Sequence, residues 1–358
     1  MKHFIIVILA FLASYTFAQE ENTATPPRAH YGTIYASHED ASRSAYAVSD
    51  QAGNGYVSTF EGEIKIFNRD GKLTKTIKIA GMPPGVHTPF VILKNGDLFV
   101  VKRDGKSIHT LDLLDSSGVS KRTFGQFITN GNMRPFLLKN GNVAMVVNKL
   151  LYVYTPELKE VLKFEAKEDL YPNIYETPDG TLVFQGGSVI YFVTADKKVT
   201  EVVFGQDSNP FSIDLVTKAG IVTATKNDNQ VKHFDSKGKE LLAYTDDSKC
   251  NGSSELPDGT IICTSKVDGY VYFKNSQGKV INKHLHESQV ASHPAYLGKN
   301  TIAYANTSEL VFVDLQGKET GFQPYDRHNN YDVTFVDLGQ NQFMVIQGLM
   351  KKIIFFRH

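Results

Sequence analysis

The chain has 358 residues with 38 basic and 38 acidic side chains, so its formal net charge is zero, and it contains no tryptophan. A neutral chain has no electrostatic drive toward phosphate backbones or anionic lipid, which excludes a general nucleic-acid binder. With 41% hydrophobic residues and 28 glycines, the chain is neither disordered nor collagen-like. Its length allows two domains or one large β architecture.

Residues 1–18 have the features of a secretory signal peptide. Lys2 precedes the apolar run of residues 4–13, and Thr16 and Ala18 are small residues at the −3 and −1 positions of a cleavage site. A membrane-spanning helix needs roughly twice as many apolar residues. We therefore predict cleavage, a flexible polar leader over residues 19–28, and a periplasmic or secreted single domain over residues 29–358. We expect no lipid anchor and no transmembrane segment in the mature chain.

One short pattern recurs eight times, a glycine or asparagine turn followed by an apolar run. The turn residues are Gly55, Gly96, Gly141, Gly180, Gly220, Gly259, Asn300 and Asn341. Their spacings are 41, 45, 39, 40, 39, 41 and 41 residues. Further apolar segments follow each turn, so every unit predicts about four short strands joined by hairpins. This pattern is typical of a β-propeller blade.

Eight units predict an all-β, eight-bladed propeller, and the alternative is seven blades with an extra N-terminal element. The eighth unit supplies three strands, while the strand-like segment HYGTIYAS at residues 30–37 belongs to no unit. We predict that this segment is the outermost strand of the last blade and closes the ring, because closure removes an exposed sheet edge.

The two cysteines, Cys250 and Cys263, would meet oxidising conditions after export. If the PDG segment at residues 257–259 forms a hairpin turn, Cys263 lies opposite Ser253, and Cys250 points to the other face of the sheet. A β-bulge would bring the two sulfur atoms together. The sequence leaves two alternatives, a disulfide or two free thiols.

The unit PDGTIICTSKVDGYVYFKNSQGKV, residues 257–280, resembles the pyrroloquinoline-quinone-like propeller repeat. The resemblance implies a propeller with relatives that include quinoprotein dehydrogenases and a lipoprotein of outer-membrane protein assembly. The dehydrogenases stack their quinone on tryptophan, which this chain lacks, so we expect no quinone and no other cofactor. The resemblance then implies a non-catalytic periplasmic scaffold. Its partner would be an envelope or extracellular protein, and we expect a monomer.

A set of polar residues recurs at the predicted start of the innermost strands, where it would line the mouth of the central channel. The set comprises His87, Arg134, Tyr171, Asn173, Asn209, Asn251, His293 and Asp332. Arg134 and the two histidines suit an anion or polar partner group, with the asparagines orienting it. The alternative is a ring of solvated residues around a water-filled channel.

An enzyme is the alternative function. Residues 87–101 are similar to a segment of arylsulfotransferases, and His87 and His293 would act as acid and base of a lactonase-like or arylsulfotransferase-like periplasmic hydrolase or transferase. The sequence has no GxSxG or HExxH motif. We assign no catalytic residue and expect no metal site.

A second set of long polar side chains follows the second strand of most units. Its members are Lys102, Asn148, Gln185, Lys226, Lys266, Asn306 and Gln347. We predict that these side chains form hydrogen bonds between neighbouring blades.

Overall fold

The computed structural model describes residues 32–39, 44–129, 133–204, 211–248, 250–265, 267–285, 292–306, 308–324, 333–347 and 351–357. These residues form strands and no helix. The strands make eight four-stranded antiparallel sheets, so the protein is an eight-bladed β-propeller. No described segment is a helix long and apolar enough to cross a membrane.

Each of the first seven blades follows chain order, with its first strand innermost and its fourth outermost. Blade 1 contains β2 (Ser44–Ser49), β3 (Gly55–Thr59), β4 (Glu63–Phe67) and β5 (Leu73–Lys78). Blade 2 contains β6 (Phe90–Ile92), β7 (Leu98–Arg103), β8 (Ile108–Leu114) and β9 (Ser120–Ile128). Blade 3 contains β10 (Phe136–Leu137), β11 (Val143–Val147), β12 (Leu150–Tyr154) and β13 (Glu160–Glu165). Blade 4 contains β14 (Leu170–Glu176), β15 (Leu182–Gly186), β16 (Val189–Val193) and β17 (Val199–Val203).

The next three blades repeat this order. Blade 5 contains β18 (Phe211–Val216), β19 (Val222–Lys226), β20 (Gln230–Phe234) and β21 (Glu240–Thr245). Blade 6 contains β22 (Cys250–Glu255), β23 (Ile261–Ser265), β24 (Tyr270–Lys274) and β25 (Val280–Leu285). Blade 7 contains β26 (Ala295–Gly298), β27 (Thr301–Ala305), β28 (Glu309–Asp314) and β29 (Glu319–Pro324).

Blade 8 joins the two ends of the described chain. It contains β30 (Val333–Gly339), β31 (Gln342–Gln347), β32 (Lys352–Arg357) and, outermost, β1 (Thr33–Glu39). β1 pairs antiparallel with β32, from Thr33 opposite Arg357 to Glu39 opposite Lys352. The predicted closing strand is confirmed, and the pairing covers an edge of β32 that would otherwise be open.

The turn after each innermost strand explains why the repeat is visible in the sequence. In blade 6 the turn residue Gly259 has a φ of 85°, and in blade 7 Asn300 has a φ of 62°. Glycine adopts this left-handed region without steric cost, and asparagine adopts it more readily than most residues. In seven blades the recurring glycine or asparagine therefore marks the same turn. In blade 1 the left-handed residue is Gly53, and the predicted turn residue Gly55 instead begins β3.

The core lies between blades. Seven clusters of buried hydrophobic residues fill seven of the eight interfaces between neighbouring blades. The cluster between blades 8 and 1, for example, packs Phe355 and Met344 against Val57 and Phe67. Among the described residues, the interface between blades 5 and 6 has no such cluster. A cavity at this interface is lined by both polar and apolar side chains, and the polar ones include Lys274, a buried residue.

Cys250 and Cys263 form a disulfide with Cα atoms 5.6 Å apart. Cys263 lies opposite Ser253, and the register shifts between Cys250 and Ser253. Gly252, within the shifted segment, has a φ of 89°. The irregularity brings Cys250 onto the face of Cys263, because one extra residue in a strand reverses which side chains point to each face.

Candidate functional site

The starts of the innermost strands lie at one end of the ring, which we call the mouth face. His87 lies three residues before the innermost strand of blade 2. Arg134 and His293 lie two residues before those of blades 3 and 7. Tyr171 and Asn173 lie in β14, and both are exposed. Asn251 lies in β22, whereas Asn209 and Asp332 lie outside the described residues.

Two of the predicted residues come together with an arginine that the sequence did not single out. Burial, Arg103 and Arg134 together lower the pKa of His87. Arg103 ends β7, and neighbouring strands are antiparallel, so its side chain reaches the mouth face from the second strand of blade 2. The three side chains form one group, the basic cluster, in which burial and then the two guanidinium groups disfavour the charged form of the imidazole.

Aromatic rings support the basic cluster. The guanidinium carbon of Arg134 lies 5.5 Å from the ring centroid of Tyr46 in blade 1. The ring of His87 lies 5.4 Å from that of Phe60, which follows β3. Arg134 itself is exposed. Stacking on an aromatic face holds a guanidinium group while leaving its edge of N–H donors free for another group.

Beneath the basic cluster lies a second histidine, which is completely buried. His109 is directly opposite Arg103 in the sheet, and neither of its ring nitrogens has a hydrogen-bond partner among the described residues. Burial, followed by the charge of Arg103, lowers the pKa of His109 to about 4. His109 is therefore a neutral ring at physiological pH, and its nitrogens lack the bonds that buried polar atoms normally have.

The remaining predicted residues do not join this cluster. The ring of His293 lies against Gly252 of blade 6, where a side chain at that glycine would collide with it. His87 and His293 belong to blades 2 and 7, which are three blades apart around the ring. The described structure therefore does not bring the two histidines together as an acid and base pair.

The second set of polar residues has several roles. Gln185 confirms the prediction, because its Nε2 donates to the carbonyl oxygen of Phe211 in blade 5 at 2.8 Å. Lys102 instead bonds Asp112 in its own blade at 2.9 Å. Gln347 is 2% exposed, and its amide has no partner among the described residues. Lys266 lies outside the described residues.

The described residues contain no group of three or more His, Cys, Asp or Glu side chains that could hold a metal ion. The mouth face is a surface with charge and aromatic character. The basic cluster can bind an anionic group through its guanidinium donors and the nearby imidazole.

Arg103, Phe60 and Tyr46 were missed in the sequence. All three lie near strand ends that the turn pattern assigns to the mouth face, and Arg103 directly follows Lys102 of the second polar set. The position of Arg103 next to Lys102 was the sequence signal that could have identified it. The sequence does not show that β7 continues to Arg103 and so carries a second arginine to the face.

No protein-family model matches the chain, and neither does any curated protein. Solved structures do match. The C-terminal WD40 domain of Sif2 has a TM-score of 0.71 at 12% identity, covering 92% of this chain and 99% of that one. Sqt1 of Saccharomyces cerevisiae has a TM-score of 0.67 at 12% identity, and the match covers 91% of this chain and 99% of that one. A virginiamycin B lyase of Staphylococcus aureus has a TM-score of 0.53 at 11% identity, and the match covers 90% of this chain and 98% of that one. At these identities the likeness is one of fold, and this chain is similar to these proteins as a β-propeller.

Proposed function

We propose that the protein is an exported, non-catalytic binding scaffold that holds an acidic segment of a partner protein at its mouth face. The basic cluster is the observation that carries the proposal. Arg103 and Arg134 gather positive charge beside His87 at one part of a chain whose net charge is zero. No carboxylate of the described residues forms an ion pair with Arg134.

The chemistry of arginine favours a carboxylate as the bound group. A guanidinium group offers paired N–H donors whose spacing matches the two oxygens of a carboxylate. Tyr46 supports the plane of Arg134 from one side. A preformed orientation lowers the entropy lost when a partner binds.

Export and the class of partner rest on the sequence. The signal-peptide pattern occupies residues 1–18, which lie outside the described residues. The resemblance to pyrroloquinoline-quinone-like repeats remains a prediction and supports an envelope or extracellular partner.

Binding of an acidic segment should strengthen as the pH falls. Burial, and then the neighbouring arginines, lower the pKa of His87 in the free protein. A bound carboxylate opposes these effects and raises that pKa, so binding is coupled to proton uptake.

The test measures binding of a fluorescent poly-glutamate peptide to the full chain by anisotropy. Arg134→Gln should weaken binding by about tenfold or more, since a hydrogen bond to a charged group contributes roughly 1.5–3 kcal/mol. The matched control is Lys94→Gln, which removes one positive charge at the turn after β6, on the opposite face. Equal affinities for the wild type and Arg134→Gln would contradict the proposal.

The natural partner can be sought by crosslinking in the native envelope fraction. The Arg134→Gln protein serves as the control sample there. A specific partner should be recovered with the wild type and with Lys94→Gln but depleted with Arg134→Gln.

A further inference from the structure

The interface between blades 5 and 6 contains buried ionisable groups where the other interfaces contain hydrophobic clusters. A small cavity there leaves about 20 Å³ for a water-sized molecule. Its lining includes Asp214 of β18, His233 of β20, Tyr244 of β21, Asp246 after β21, and Lys274 of β24. The disulfide lies at the same cavity, because Cys250 also lines it.

Lys274 connects the ionisable groups to the disulfide. Its ammonium nitrogen lies 2.5 Å from Oδ2 of Asp246, 2.6 Å from Oγ of Ser248 and 3.3 Å from Sγ of Cys250. The Ser248 hydroxyl lies 3.1 Å from the same sulfur. Burial lowers the pKa of Lys274, and the bond to Asp246 opposes that effect. Asp246 thus helps to hold a charged ammonium group beside Cys250.

A sulfur atom in a disulfide is a weak hydrogen-bond acceptor, whereas a thiolate is a strong one. The ammonium and hydroxyl groups near Cys250 therefore gain more from the reduced form than from the disulfide. Stabilising the reduced form makes a disulfide more oxidising.

The two sulfur atoms differ in access. Cys263 is 1% exposed, whereas Cys250 is half-buried at the start of β22, on the mouth face. A thiol from solution can reach Cys250 first. The more exposed cysteine is also the one that Lys274 contacts.

We propose that Cys250 and Cys263 form a redox-active site that exchanges with an external thiol or dithiol. The thiolate of the reductant attacks Sγ of Cys250, the S–S bond breaks, and Cys263 leaves as a thiolate that takes up a proton. A second external thiolate then attacks the outer sulfur of this mixed disulfide and releases the thiolate of Cys250 beside Lys274. The protein disulfide is reduced to two thiols, and two external thiols are oxidised to one disulfide.

This site does not depend on the proposed binding of an acidic segment, which uses blades 1 to 3. The first experiment equilibrates the folded full chain with reduced and oxidised dithiothreitol and counts free thiols by alkylation and mass spectrometry. We expect Lys274→Met combined with Asp246→Asn to make the disulfide about tenfold harder to reduce. The double change avoids leaving either buried charge unpaired. Lys279→Met, at an exposed turn of the same blade, is the matched control and should leave the equilibrium unchanged.

A second measurement needs no lysine variant. In Cys263→Ser, the thiolate of Cys250 is titrated by its ultraviolet absorbance. The groups facing it are Lys274, Asp246, Asp214, His233 and Tyr244. We expect half-ionisation clearly below the ordinary thiol value of about 8.5. Half-ionisation at or above that value would overturn the proposal, as would a disulfide whose reduction equilibrium is the same with and without Lys274.

Discussion

The interface between blades 5 and 6 and the third strand of blade 2 both contain buried ionisable groups, but these groups have different surroundings. Lys274 is buried with a carboxylate and a hydroxyl as partners. His109 is buried beside the charge of Arg103, and within the described part of the chain neither of its nitrogens has a partner. The ammonium group of Lys274 can stay charged, whereas the ring of His109 stays neutral. Burial alone therefore does not determine charge, and the partners that the neighbouring blade supplies do.

The largest effect should come from breaking the pair at blades 5 and 6. Lys274→Met leaves Asp246 buried without its cation, which typically costs about 3–5 kcal/mol of unfolding free energy. Denaturant unfolding of the oxidised protein measures this loss. Lys198→Met is the control, because it removes the exposed cation of the Lys198–Asp196 pair, which water screens, and should leave stability almost unchanged. Equal losses in the two variants would show that burial of the pair has no energetic consequence.

An intermediate effect should appear when the titration of His109 is removed. The folded-state pKa of His109 is about 4, below the ordinary value of 6.5, so the unfolded chain binds the proton more readily. This histidine therefore lowers stability as the pH falls below about 6.5, and His109→Phe should remove that loss. We expect the variant to gain about 2 kcal/mol more near pH 5 than near pH 8.

Urea unfolding at both pH values measures that difference. The control is His38→Phe, on the outer strand of blade 8, whose ring packs on Phe67. A gain for His109→Phe that does not depend on pH would mean that His109 is protonated in the folded protein as readily as in the unfolded chain.

The smallest effect concerns the support of Arg134. Tyr46→Leu removes the aromatic ring under the guanidinium group, whose contribution is about 0.5–1 kcal/mol at an exposed site. The coupling can be measured by a double-mutant cycle between Tyr46→Leu and Arg134→Gln, with unfolding free energy as the readout. Tyr46→Phe keeps the ring and should retain the coupling. Additive losses would mean that the ring does not hold the arginine.

The sequence predicted the ring well because its signal is repeated. Seven of the eight turn residues adopt the same left-handed backbone region, and in blade 1 Gly53 adopts it instead of Gly55. Because the turns recur at nearly equal spacing, a missed strand in one unit does not hide the others. The closing strand followed from the missing fourth strand of the last unit. Counting residues on either side of the hairpin turn places Cys263 opposite Ser253, and the structure has this pairing.

The sites were harder to predict, because they depend on contacts between blades. Lys274 ends an ordinary strand pattern, and Asp246 lies in a connection, so nothing in either segment shows that the two meet. The irregularity at Gly252 is a backbone feature that the positions of the cysteines do not reveal. His87 and Arg134 were singled out because their positions recur, whereas Arg103 lies one residue beyond the recurring position of Lys102.

The closing pair β1 and β32 also determines the order of events during synthesis. Its residues are more than 300 positions apart, so β1 is made long before its partner exists. At roughly 5–20 residues per second, the interval is about 15–60 seconds. Throughout that time the nascent chain can form at most an open arc of blades, and β1 has no sheet to join. Translation that stops before β32 leaves this arc with an unpaired edge on β31, which is a surface for aggregation.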